Sequence, residues 1–191
     1  MPTTITKKQI RKPQKQQRPG SEQKMQPKPV FDYPQQKGSN KLLNKIALIT
    51  GGDSGIGKAV AILFAKEGAD IAISYLSEKK DADETKKIIE QQYHKQCLLI
   101  AGDIAKEKHC KELIKKTVAA FGRIDILINN AGLHFENKSL EKISTREMLK
   151  TFETNVFSMF WVTKACLPYM KKGSCIINTA SVTAYRGSSS L

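Results

Sequence analysis

From Lys45 onward the chain alternates short apolar runs with stretches of helical periodicity, a pattern that predicts strands separated by helices. Strands are expected at Ile46–Thr50, Asp70–Tyr75, Gln96–Ile100, Ile124–Asn129 and Ser174–Thr179. Helices are expected at Gly55–Glu67, Asp83–Tyr93, Lys106–Phe121 and, as one long element, Thr145–Met170. Runs such as IALI and ILIN lack polar alternation, which suits a parallel sheet covered on both faces. Gly68 and Gly122 read as helix stops, and Ser144 with Glu147 as a capping box. On the first helix Ile56, Val60, Leu63 and Phe64 form an apolar stripe expected to pack in the core, with Lys58 and Lys66 off it. Right-handed crossovers then favour an α/β fold: a Rossmann-like, doubly wound parallel sheet, incomplete at about five strands, in the order 3-2-1-4-5.

The first 40 residues break this pattern. They carry nine Lys/Arg against Glu22 and Asp32, with six of the seven prolines and eight glutamines. So little apolar surface cannot offset the cost of ordering the backbone. Residues 1–40 are therefore read as a disordered basic arm, and 41–191 as the nucleotide-binding domain. The arm's charge is interleaved with Gln and Pro and offers no aromatic platform, which argues against nucleic acid as a partner. No apolar run suggests a secretory signal, and nothing approaches the roughly 18 consecutive apolar residues of a membrane span. Cys97, Cys110, Cys166 and Cys175 lack disulfide or metal spacing, and His94, His109 and His134 stand singly. The expectation is a cytoplasmic protein with reduced thiols and no metal.

Candidate chemistry lies in the connections. "TGGDSGIG", Thr50 to Gly57, sits between the first strand and first helix. There, backbone N–H groups at a helix N-terminus receive a pyrophosphate and glycines let it approach. "NNAG", Asn129 to Gly132, ends the fourth strand at the carboxyl edge where such sheets bind ligands. With "GDI" (Gly102 to Ile104), Asn155 and Ser181, this ordered set resembles the short-chain dehydrogenase/reductase superfamily from about Lys41 to the last residue. The arm with "KPVFDYPQQKGSNKL" resembles the bacterial glucose/ribitol-dehydrogenase-like members with an extended N-terminus.

The resemblance implies that Gly51, Gly55, Ile56 and Gly57, with Ser54 beside them, hold a dinucleotide pyrophosphate. Asp103 and Ile104 would meet the adenine, and Asn130, Ala131 and Gly132 would flank the adenosine ribose and nicotinamide. Tyr75 ends the second strand, where a carboxylate usually marks NAD; Glu78 is the nearest acid, and with Asp81 it disfavours a phosphate, so the expected cofactor is NAD or NADP with a slight lean to NAD. The implied chemistry is hydride transfer between nicotinamide and a small-molecule alcohol or carbonyl, by relatives that form homo-oligomers through the long helix. Ser181 would bind the substrate oxygen and Asn155 a water. From the residues alone, Asp103 also reads as a turn cap, Asn155 as bridging a helix distortion and Ser181 as a loop cap.

The family's proton-transfer tyrosine, whose phenol starts near a pKa of about 10, follows the serine by about 13 residues, with a lysine one helical turn later. From Ser181 that position falls past Leu191. Tyr33 to Lys37 and Tyr75 to Lys79 share the spacing, but one lies in the arm and the other at the adenosine end; Tyr185 is too close to Ser181. The chain is therefore expected to be cut before the catalytic pair and inactive alone, with a non-catalytic nucleotide-binding module as the alternative. Absence of the following helix should expose Trp161, Val162 and Leu167 and the edge of the last strand.

Overall fold

A computed structural model describes residues 24–137 and 139–187. It contains β1 (Ile46–Thr50), α1 (Gly55–Lys66), β2 (Asp70–Tyr75), α2 (Lys79–Tyr93), β3 (Cys97–Ala101), α3 (Glu107–Phe121), β4 (Ile126–Asn129), α4 (Thr145–Phe152), α5 (Ser158–Cys166) and β5 (Cys175–Asn178). All strand pairs are parallel, in the order β3-β2-β1-β4-β5, which is the expected topology. Alternate residues of β1 feed two cores. Ala47 and Ile49 meet Ala61, Ile62 and Ile89 of α1 and α2, whereas Leu48 meets Leu113, Ile114 and Val162 of α3 and α5. Burial pushes the thiols of Cys97 and Cys166 up to about 12, so both behave as inert core groups. Among the described residues no helix is long and apolar enough to cross a membrane.

Three expectations about the helices are corrected. α2 begins at Lys79 rather than Asp83, because its first turn is polar and carries no apolar signal, yet the Ala82 N–H bonds the Glu78 carbonyl. The expected long helix is interrupted by a π-turn, Glu153–Phe157, between α4 and α5, and ends in a 3₁₀ turn, Leu167–Tyr169. On α1 the core face is Ala61, Ile62 and Ala65, while Ile56 and Leu63 of the predicted stripe are exposed. Small side chains face the sheet here because they let the helix approach closely, and Ile56 is left for the crevice described below.

The two lysines placed off the stripe are also covered. Lys58 is only 2% exposed; its Nζ lies 3.2 Å from Glu84 Oε1 and 4.2 Å from the centre of the Phe31 ring. Lys66 Nζ reaches Asp32 Oδ1 at 2.8 Å and the Tyr33 carbonyl at 2.7 Å. The Tyr93 hydroxyl donates to the other Asp32 oxygen. Further on, Glu67 Oε2 accepts from the Ser39 and Lys41 N–H groups. Of the arm anticipated over residues 1–40, residues 1–23 lie outside the described residues, and residues 31–39 form a strap across α1 and α2.

Burial alone would raise the Asp32 carboxyl, but the Lys66 ammonium and the Tyr93 hydroxyl override it and hold the group below its ordinary value. A depressed carboxyl stabilises the folded arrangement above the unfolded value of about 3.9. That contribution fades as pH falls through the lower folded value. Asp32→Asn is expected to speed tryptic cleavage at the exposed Lys37 by about tenfold at pH 7, as a local opening would. In the wild type the same acceleration is expected only when the pH is taken below the ordinary carboxylate range and cleavage is followed with an acid-tolerant protease. Unchanged cleavage would show that the strap is held by other contacts.

The far side of the sheet is more open. Phe152, Val156, Phe157, Phe160 and Leu167 are exposed, and among the described residues β5 pairs only with β4. Of the three residues expected there, Leu167 is exposed and Trp161 half-buried. Val162 is fully buried, because it points inward to α3 and the sheet rather than along the outer face of α5.

Candidate functional site: a crevice at the carboxyl end of the sheet

A cavity of about 440 Å³ opens where β1, β2, β3 and β4 end. Its floor is the loop from β1 into α1. Gly51 and Gly55 have φ of +63° and +55°, angles that side-chain-bearing residues rarely adopt. A Cβ on Gly55 would meet nothing within 4 Å, so bare backbone at the first turn of α1 faces open space. Gly57 is constrained by room rather than by angle: a Cβ there would lie 1.9 Å from the Gly51 carbonyl oxygen and 2.7 Å from Asn130 Nδ2. Bare backbone at Gly57 thus lets the helix meet the loop and Asn130.

The loop is clamped to the end of β4. Thr50 Oγ1 accepts from the Asn130 and Ala131 N–H groups at 3.0 and 3.1 Å. In return, Asn130 Nδ2 donates to the Thr50 and Gly51 carbonyls, both at 3.2 Å. Asn129 Nδ2 donates to Asn178 Oδ1 on β5 at 2.8 Å. These bonds tie the backbone at the ends of β1, β4 and β5 together beside the start of α1.

The structure brings Gly51, Ser54, Ile56, Tyr75, Asp103, Ile104, Asn130, Ala131 and Gly132 to the crevice wall. Gly55 and Gly57 do not line it, and Asn155 braces it from behind through Leu133. Asn155 lies in the π-turn, and its amide grips Leu133 from both sides, accepting from the N–H at 2.8 Å and donating to the carbonyl at 2.6 Å. Asp103 Oδ1 accepts from the Ala105 N–H at 2.9 Å, as a turn cap does. Ser181 is exposed and off the wall; its Oγ accepts from the Thr183 N–H at 3.2 Å, again as a cap. Tyr185 is 94% exposed beyond it, whereas Tyr75 is 8% exposed at the opposite end of the crevice.

Several wall residues escaped the sequence reading. Asp53 is buried within the quoted glycine motif, and burial, assisted by the charges of Glu78 and Asp81, raises its carboxyl above the ordinary value. Thr154 and Thr179 carry no motif. Lys150 forms an ion pair with Asp103 Oδ2 at 2.7 Å. Burial would raise the Asp103 carboxyl, but Lys150 and the Ala105 N–H bring it below its usual value.

The family model for short chain dehydrogenase matches residues 45–191. The uncharacterized oxidoreductase YhxC of Bacillus subtilis is 53% identical over 97% of the chain, and glucose and ribitol dehydrogenase homolog 2 of Arabidopsis thaliana is 46% identical over 94%. The chain spans 64% of the length of each. A short chain dehydrogenase from Burkholderia cenocepacia in complex with NADP superposes with a TM-score of 0.76 at 31% identity, covering 78% of this chain and 60% of that one. A blue fluorescent protein from a metagenomic library, in complex with NADPH, gives 0.70 at 30% identity over 76% and 59%. The expected lean to NAD is corrected by these NADP and NADPH complexes. The acid behind that lean is also engaged elsewhere: Glu78 accepts from the Ser77 hydroxyl at 2.7 Å and from the Ser77 N–H at 3.1 Å.

Proposed function

The chain belongs to the short chain dehydrogenase family, and from that premise we propose that residues 41–191 form the dinucleotide-holding part of an NADP(H)-dependent alcohol or carbonyl oxidoreductase of the glucose/ribitol-dehydrogenase-like group. The clamp between Thr50, Gly51 and Asn130 beside the open first turn of α1 carries this reading. Gly51 lines the crevice and Gly55 opens α1 beside it, both at backbone angles suited to glycine, so the residues present fit a pyrophosphate.

In this reading the segment Gly51, Gly55, Ile56 and Gly57 holds the pyrophosphate. Asp103 and Ile104 receive the adenine, and Ala131 and Gly132 lie along the nicotinamide side. When bound, the nicotinamide supplies or accepts a hydride. Asn130 keeps the loop in its binding shape, and Asn155 fixes the chain after Gly132 through Leu133. Ser181 is the group that would hold a substrate oxygen, although here its hydroxyl is turned to Thr183. Cytoplasmic location and homo-oligomerisation belong to the same proposal.

We further propose that this 191-residue polypeptide binds the nucleotide without turning over substrate. Ser181 lies off the crevice wall. Tyr33 is on the strap and Tyr75 is buried at the adenosine end, so neither tyrosine with a lysine four residues on can serve Ser181. NADPH fluorescence titration of the purified chain is expected to saturate with a micromolar-range Kd. A panel of aldehydes, ketones and sugar alcohols with NADP(H) is expected to give no turnover. Absence of saturable binding would overturn the dinucleotide reading, and robust turnover would overturn the second proposal.

A further inference from the structure

At its β2–β3 end the crevice is an apolar slot, walled by Tyr75, Leu76 and Ile104, with the Asp103 carboxylate at its rim. A flat heteroaromatic base fits such a slot if it presents an exocyclic amine to that carboxylate. The direction in which Asp103 presents its oxygens is set from two sides. The Ala105 N–H holds Oδ1, and Lys150 Nζ holds Oδ2 at 2.7 Å. Lys150 comes from α4, 47 residues along the chain. It also borders a second cavity, about 770 Å³, together with Lys106, Arg146 and Glu147. Asp103 and Lys150 are the residues shared by the two cavities, so their ion pair stands in the partition between them.

From this geometry we propose that Lys150 is a positioning residue for the nucleotide base, pinning Asp103 so that its remaining lone pairs meet the adenine amine and closing the slot against the neighbouring cavity. A carboxylate has about four acceptor sites, so two protein donors leave it able to receive a third. The side chains of Lys150 and Asp103 are 36% and 32% exposed. Pairs exposed to that degree contribute little to folding, typically about 0–1 kcal/mol. The effect of losing Lys150 should therefore be read in base recognition and not in stability. The proposal rests on the dinucleotide reading above.

The test titrates the full chain and its K150M and K150R variants with NADPH and with deamino-NADPH, in which hypoxanthine replaces adenine and the exocyclic amine is lost. Wild type is expected to prefer NADPH. K150M should weaken NADPH binding about tenfold, roughly the effect of one charge-assisted hydrogen bond. It should leave deamino-NADPH nearly unaffected, erase the preference and keep the wild-type unfolding midpoint. K150R, which retains a donor to Asp103, should keep both affinity and preference. An unchanged preference in K150M overturns the proposal, as does equal weakening for both nucleotides, which would mark a general loss of positive charge. Loss of the preference in K150R overturns it too. If the wild type binds neither nucleotide, the dinucleotide reading fails and this inference with it; if the wild type binds and K150M behaves identically, only this inference fails.

Discussion

Gly57→Ala is expected to abolish NADPH binding and to destabilise the chain by about 3 kcal/mol, near the upper end of what overpacking costs. The added carbon would sit 1.9 Å from the Gly51 carbonyl oxygen and 2.7 Å from Asn130 Nδ2. One of those atoms is backbone and the other is anchored at 3.2 Å to two carbonyls, so neither can give way cheaply. Relief requires α1 to move off the loop, and that movement reshapes the crevice floor on which the proposed nucleotide binding depends. Alanine is otherwise welcome in a helix, which makes the steric clash the cause of any loss. Urea unfolding together with NADPH titration measures both effects. Gly187→Ala, at a site where a Cβ meets nothing within 4 Å, is the control expected to change neither. Wild-type binding by Gly57→Ala would mean that the loop's shape does not depend on the contact between these glycines.

Thr50→Val should show the second large effect. Thr50 is 2% exposed, and valine matches its shape while removing the oxygen that accepts from the Asn130 and Ala131 N–H groups. Two partly buried donors lose their acceptor at once. Each such loss costs about 1–3 kcal/mol; as both donors keep some access to water, a total of about 2 kcal/mol is expected. The weakened clamp should also raise the NADPH Kd. Thr50→Ser keeps the oxygen and should retain most of both properties. If valine leaves the unfolding midpoint and the NADPH Kd at their wild-type values, the hydroxyl does not hold the clamp.

The strand order and the crevice position were legible because both follow from periodicity and crossover handedness: IALI and ILIN can only be central strands, and their ends carry the glycine and Asn-Asn motifs. The glycine loop was legible down to Gly51 and Gly55. Lys58 and Lys66 were not, because a charged side chain reads as surface unless its partners are known. Those partners, Phe31, Asp32 and Glu84, lie well away in sequence, two of them in a stretch without any apolar run. The same distance hid Lys150 from Asp103.

The α1 stripe misled for a different reason. Large apolar residues dominate a periodicity reading, yet alanines make the close contact with the sheet, leaving Ile56 to the crevice. The π-turn was legible only as a helix distortion open at Asn155, because apolar residues on both sides, Phe152 and Val156, keep the helical pattern going. For Asp103, Asn155 and Ser181 the plain structural role and the site role were both open from sequence. The plain role is present in all three, and only the first two also stand at or behind the crevice wall.

The sheet is lopsided in a way that bears on how the protein tolerates damage. β1 is hydrogen-bonded on both edges and buried along its whole length, while β5 has one neighbour and four residues, of which three are exposed. Cooperative opening should therefore begin at the β5 flank and reach the centre last. The hydrogen-bond clamp between Thr50 and Asn130 joins the ends of β1 and β4, whereas Ser181 follows the least protected strand. Fraying or remodelling of that flank can thus move Ser181 while leaving the Thr50–Asn130 clamp intact.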